Sequence, residues 1–206
     1  LNDISVTGVN TTSAGGAILV SAGKLTLLNS TLNANTTTST GAGIHATGGS
    51  SLTIDKTTIS NNVATGAGGG INFVNSTLGQ SLLLTNSTLS GNTAKTATAS
   101  YGGGGISFPG SVGAGGFTIR SSTIANNSAT ANGGGVLFRV LNGTATIQNS
   151  TITANTSNTT AVTDGLGGGG VAFTTKSATA GATFVLDIES TILSGNVANA
   201  TNGRSD

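Results

Sequence analysis

An eleven-residue block that opens on an apolar residue and closes on Asn occurs six times in the chain: Leu25 to Asn35, Leu52 to Asn62, Leu82 to Asn92, Phe117 to Asn127, Ala145 to Asn155 and Leu186 to Asn196. Each block is preceded by a glycine cluster leading into a β-branched residue, at Ile18, Ile44, Ile71, Ile106, Val136 and Val171. One such unit cannot bury its apolar face alone, but stacked on its neighbours it can, so a repeat of this length means a solenoid. The closing Asn residues lie 27, 30, 35, 28 and 41 residues apart. A near-constant minimum turn places the excess in inserted loops: Lys95 to Tyr101, Pro109 to Gly116, Ser157 to Leu166 and Thr174 to Ala182. Residues 1–206 are read as one open-ended domain, a stacking unit or a fragment of a longer rod.

Within a block the alternation is that of half-buried strands. Leu52 and Ile54 alternate with Thr53 and Asp55; after a break at Lys56, Thr57 and Ile59 alternate with Thr58 and Ser60. Aligned blocks give columns of like residues, among them Leu27, Ile54, Leu84, Ile119, Ile147 and Ile188, and the small hydroxyl column Ser30, Thr57, Ser87, Ser122, Ser150 and Thr191. Parallel coils stacked about 4.8 Å apart produce such columns. The glycine cluster opens a third strand, in which Phe73, Phe108, Phe138 and Phe173 form an interior aromatic stack. The closing Asn residues are expected to take the left-handed conformation of a tight bend and to form an asparagine ladder. The fold class is thus all-β, a single-stranded parallel β-solenoid of about six to seven coils with three short strands per coil.

Gly-Gly-Gly-Ile-x-Phe followed by the pattern of Leu82 to Asn92 resembles the right-handed parallel β-helix repeats of bacterial surface and autotransporter-like proteins, of the polymorphic-outer-membrane-protein type within the pectin-lyase-like superfold. The resemblance runs from about Gly15 to Asn196. It implies the right-handed fold, and a superfold that hosts lyases, hydrolases, adhesins and passive fibres.

Composition narrows the partners. Charged residues make up 6% of the chain and the net charge is +1, which excludes the electrostatic footprint of a nucleic-acid binder. No run approaches the roughly 18 apolar residues of a membrane helix, so no membrane insertion is expected. Without Cys there are no disulfides or thiolate metal sites. The chain has no Met and no signal peptide, so it is expected to be processed or cut from something longer, and the Thr/Asn/Gly-rich repeat points to the cell exterior.

No cofactor, metal or catalytic site is expected. A polysaccharide lyase or hydrolase would need converging acids. Of Asp3, Asp55, Asp164, Asp187, Glu189 and Asp206, only Asp187 and Glu189 share a face at close range, and a solvated pair is the simpler reading. Asp55 and Arg120 share the Glu189 column from other coils, too far away for direct pairing with it. His45 should point outward beside Leu19 and Asn72, as a surface His with no second His for a metal. Thr31, Thr58, Thr88, Thr123 and Thr151 form an unbroken column; Thr26, Thr53, Thr118 and Thr146 form another, interrupted by Leu83 and Asp187, on a different strand across the bend. Tyr101 is the one aromatic that could offer a sugar platform.

The ends carry the leading functional expectation. No helix or charged cap is visible, and the closing stretch 199–206 and the opening strand from Leu1 would read as an uninterrupted next coil. The chain is therefore expected to be an extracellular structural protein, a β-helical segment or subunit of a surface fibre or adhesin. It would meet a copy of itself or the remainder of a longer surface protein through Leu1, Ile4, Val6, Ile188, Leu193 and Asn196. Two alternatives are a polysaccharide-binding or polysaccharide-degrading β-helix protein, for which glycans would be the partner, and an ice-binding solenoid.

Overall fold

The computed structural model describes residues 1–74, 80–96, 98, 101–110, 116–139, 143–159, 167–174 and 184–199. Its strands are all parallel and stack into four sheets that run the length of a solenoid. A typical turn consists of Ile71–Phe73, Leu82–Thr85, Thr88–Ser90 and Thr93–Ala94. The first two belong to six-stranded sheets and the last two to seven-stranded ones. The strand after the ladder Asn is one more than the alternation predicts. It is two residues long, too short to show a period, yet it recurs in register as Thr36–Thr37, Val63–Ala64, Thr93–Ala94 and Ser128–Ala129.

Register follows the sequence columns. Leu82 pairs with Leu52 and Phe117, Leu84 with Ile54 and Ile119, and Leu89 with Ile59 and Ile124. Leu27, Ile54, Leu84, Ile119 and Ile147 are fully buried. Burial of such side chains contributes roughly 1.5–3 kcal/mol each. The aromatic core differs from the expected four-membered stack. Phe138 contacts Phe184, at 5.9 Å between centroids, and Phe184 in turn stacks on Phe173 at 4.6 Å. Phe117 enters from the neighbouring sheet, 4.9 Å from Phe138. Phe73, Phe108 and Phe138 are fully buried, but Phe173 is 40% exposed because its strand, Val171–Thr174, is the outermost of its sheet.

Two side-chain ladders bind coil to coil along the axis. In the first, Asn62 donates from Nδ2 and from its backbone N–H to Asn92 Oδ1, at 2.9 and 3.1 Å, and Asn92 repeats this toward Asn127 at 2.9 and 3.0 Å. The remaining amide hydrogen points back: Asn62 Nδ2 donates to Leu32 O and Asn92 Nδ2 to Ile59 O. In the second ladder, the backbone N–H of Thr57 donates to Ser87 Oγ, that of Ser87 to Ser122 Oγ and that of Ser122 to Ser150 Oγ, each hydroxyl also donating to the carbonyl two residues before it.

The ladder Asn residues do not themselves adopt the left-handed conformation. The residue before each one does: Ala34, Asn61, Gly91, Asn126, Ala154 and Gly195 all have φ between 53° and 65°. The corner is made one position early, which leaves the Asn side chain free to turn inward. A left-handed L-residue costs about 1–2 kcal/mol unless it is Gly or, less favourably, Asn or Asp. Ala34 and Ala154, at φ 54° and 53°, are exposed and have no such relief. Ala34→Gly and Ala154→Gly are each expected to stabilise the chain by about 1 kcal/mol, the gain reduced by the greater freedom of Gly in the unfolded state. Urea midpoints at unchanged m-value would measure it.

Candidate functional site

The outward side of the glycine-led sheet is not a solvent face. Asn72, Ser107 and Leu137 point away from the core, yet are only 3%, 0% and 1% exposed. Over this sheet an open groove of about 590 Å³ is lined by Thr40, His45, Asn72, Thr98, Tyr101 and Arg139, among others. That volume lies in the range of small-ligand sites. Tyr101 comes from the first inserted stretch and Arg139 from the end of strand Val136–Arg139, where it pairs with Pro109. The Arg139 guanidinium lies over the Tyr101 ring, 4.4 Å from its centroid. Such a contact braces both side chains.

His45 lies between Leu19 and Asn72 in register, as expected, but it is half-buried in the groove rather than a plain surface residue. Its Nδ1 meets Thr40 Oγ1 at 3.0 Å and Asn72 Nδ2 at 3.1 Å. With the amide assigned to donate, Nδ1 accepts and the proton of the neutral ring sits on Nε2. Asn72 Oδ1 is buried without a hydrogen-bond partner.

Burial holds the His45 imidazole below its ordinary value of 6.5. Between the folded and unfolded values the unfolded chain binds more protons, so stability falls as pH drops below 6.5, until the folded ring is protonated too. Urea midpoints taken from pH 7.5 to 5.5 should decline, and His45→Gln should remove that part of the slope. Asp55 acts at lower pH. Hydrogen bonds from Thr85 and then Asn86, both 2.7 Å, hold its carboxyl below 3.8, so its contribution is lost only as pH falls through the depressed value.

The acids do not converge. Among the described residues, no three of His, Asp and Glu form a cluster that could hold a metal. Glu189 shares its column with Asp55 and Arg120, as expected, and Gln148 fills the gap. Gln148 Nε2 donates to Glu189 at 2.6 Å, while Gln148 Oε1 accepts from Arg120 Nε and Nη2 at 3.2 and 2.9 Å. Asp164 and Asp206 lie outside the described residues, as do 97, 99–100, 111–115, 160–166 and 175–182 of the expected insertions and 200–206 of the closing stretch.

The two threonine columns fall on two different sheets, as the bend implies. On the strand carrying Thr31, Thr58, Thr88, Thr123 and Thr151, the second outward column is Asn33, Ser60, Ser90, Ala125 and Thr153. Of the end residues, Leu1, Ile4 and Val6 belong to the first coil and Ile188, Leu193 and Asn196 to the last. Leu1, Ile188 and Leu193 are 59%, 38% and 46% exposed; Ile4, Val6 and Asn196 are half-buried.

These stacked parallel sheets and axial ladders define a parallel β-helix. The chain matches the family described as right handed beta helix region over residues 2–203 and belongs to it. No curated protein and no solved structure matches the chain. The family is found in surface proteins and in polysaccharide-degrading enzymes, so membership leaves both enzymes and non-enzymes within the class. Its members are often extracellular or surface-associated. Among the described residues no helix is long and apolar enough to cross a membrane.

The groove was only partly legible from sequence. His45, Asn72 and Tyr101 drew attention separately, but nothing local announces that the inserted Tyr101 meets Arg139, and the repeat gives no sign that Asn72 is covered.

Proposed function

We propose that the chain is a β-helical rod segment of an extracellular surface fibre or adhesin. The observation that carries this reading is the pair of continuous ladders, amide and hydroxyl, which bind successive coils along the axis in addition to the four sheets. Axial hydrogen bonding of that density makes a stiff rod that holds its surface loops at a fixed spacing. The test is immunogold electron microscopy of intact cells that produce the protein. Label standing off the cell surface is expected, and label confined to the cell interior would sink the reading.

Carbohydrate recognition is a second reading, favoured by the braced Tyr101 ring beside the unpartnered Asn72 Oδ1. The chain has one Tyr and no Trp, so intrinsic fluorescence reports on the groove alone. Titration with soluble polysaccharides should shift that emission, and Asn72→Ala should weaken the response. A flat titration with every polysaccharide tried counts against it.

A further inference from the structure

The asparagine ladder has a direction. Each Asn accepts at Oδ1 from the coil before it and donates from its N–H and Nδ2 to the coil after it, ending with Asn155 donating to Asn196 Oδ1 at 3.0 and 2.9 Å. Asn196 Nδ2 donates back to Ile152 O at 2.8 Å, while its backbone N–H and second amide hydrogen meet no acceptor among the described residues. The hydroxyl ladder ends the same way. Thr191 Oγ1 accepts from the Ser150 N–H, and the N–H of Thr191 meets no acceptor among the described residues. Around these donors the face is apolar, with Ile188 and Leu193 uncovered where their counterparts in the interior coils are fully buried.

The first coil offers nothing in return. Val9 occupies the Asn column, its N–H donating to Asn35 Oδ1 at 3.1 Å, and Ile4 occupies the hydroxyl column, its N–H donating to Ser30 Oγ at 3.2 Å. A second copy stacked in register would set Val9 against Asn196 and Ile4 against Thr191. Three donors would then be buried at the junction without the acceptors that every interior junction supplies, an arrangement close-packed interfaces avoid.

We propose that the last coil is a recognition face for a β-helical coil carrying an amide in the Asn column and a hydroxyl in the Ser/Thr column, and that it selects against the first coil of a second copy. The inference rests on the rod reading above and names the partner of that rod. Apolar burial supplies attraction, and the two ladder columns supply discrimination.

The test converts the mismatch into a match. Val9→Asn gives the first coil an Oδ1 for the Asn196 donors and extends the existing ladder toward Asn35. Sedimentation velocity and negative-stain microscopy across a concentration series should show the unaltered chain as single short rods. Val9→Asn should form end-to-end filaments, with an association constant raised at least about tenfold. Adding Asn196→Leu to Val9→Asn should abolish the filaments, since it removes the amide from the opposite face. The proposal is overturned if the unaltered chain stacks end to end as strongly as the variant, or if Val9→Asn, folded by circular dichroism, stays as single rods. Neither result bears on where the protein sits on the cell, so the two readings fail separately.

Discussion

Replacing Asn92 with Ala is expected to destabilise the chain by about 4 kcal/mol, far more than an ordinary surface substitution. Asn92 is fully buried. Its Oδ1 is the acceptor for both the N–H and the Nδ2 of Asn62, and its Nδ2 donates to Ile59 O and to Asn127 Oδ1, both at 2.9 Å. Truncation leaves two donors and a carbonyl without partners in a site water does not reach. Each such group costs about 1–3 kcal/mol, which places the sum near 4 kcal/mol. Asn196→Ala is the internal comparison. Asn196 is half-buried on the last coil, where water can replace the lost bonds, so the same change there should cost about half as much. Urea unfolding would rank the two. Hydrogen exchange at the Asn62 amide should accelerate in Asn92→Ala well beyond exchange at coils remote from it, because interactions in a solenoid are between neighbours.

The ladder also shows why so much of this fold was legible. In a parallel stack, residues that follow one another in a column are the same kind of residue, so aligning Leu25, Leu52 and Leu82 gives the strand register directly. The legible features were therefore those that repeat: the inner aliphatic columns, the hydroxyl column, the Asn column and the outward position of His45. What could not be read depends on geometry within a turn or on contacts between unlike positions. The left-handed corner sits on Ala34 and Asn61 rather than on Asn35 and Asn62, because αL at the preceding residue is what turns the Asn inward. Phe117 and Phe184 join the aromatic core from a sheet the Phe column does not include. The contact between Arg139 and Tyr101 involves an insertion, which by definition has no counterpart in other coils.

Gly103→Ala is expected to be as damaging as the loss of a ladder amide, at about 3–5 kcal/mol. Each glycine cluster has three positions, and they are not equivalent. The second carries Ala42 in one coil and the third carries Ala17 in another, so a methyl group is accommodated there. The first is Gly in all six, at Gly15, Gly41, Gly68, Gly103, Gly133 and Gly168, with φ between 65° and 74°. Positive φ alone does not require this, since Ala34 and Ala154 tolerate it. The difference is what a side chain would meet: a Cβ on Gly103 would lie 2.2 Å from Ile106 O and 2.5 Å from Ser107 N. Those atoms belong to strand Ile106–Pro109, which is paired on both sides and cannot retreat without breaking its sheet. The cost adds a left-handed L-residue, about 1–2 kcal/mol, to an overpacking term of about 1–3 kcal/mol. Gly23→Ala separates the two terms, because Gly23 has φ 88° with nothing within 4 Å of its Cβ position, and only the conformational cost should appear. The same strand leads to Pro109 on the groove wall, so Gly103→Ala should also change the fluorescence of Tyr101, whereas Gly23→Ala should leave it unaltered. Equal urea midpoints for the two variants would show that backbone conformation, not the close approach of Ile106, keeps this column glycine.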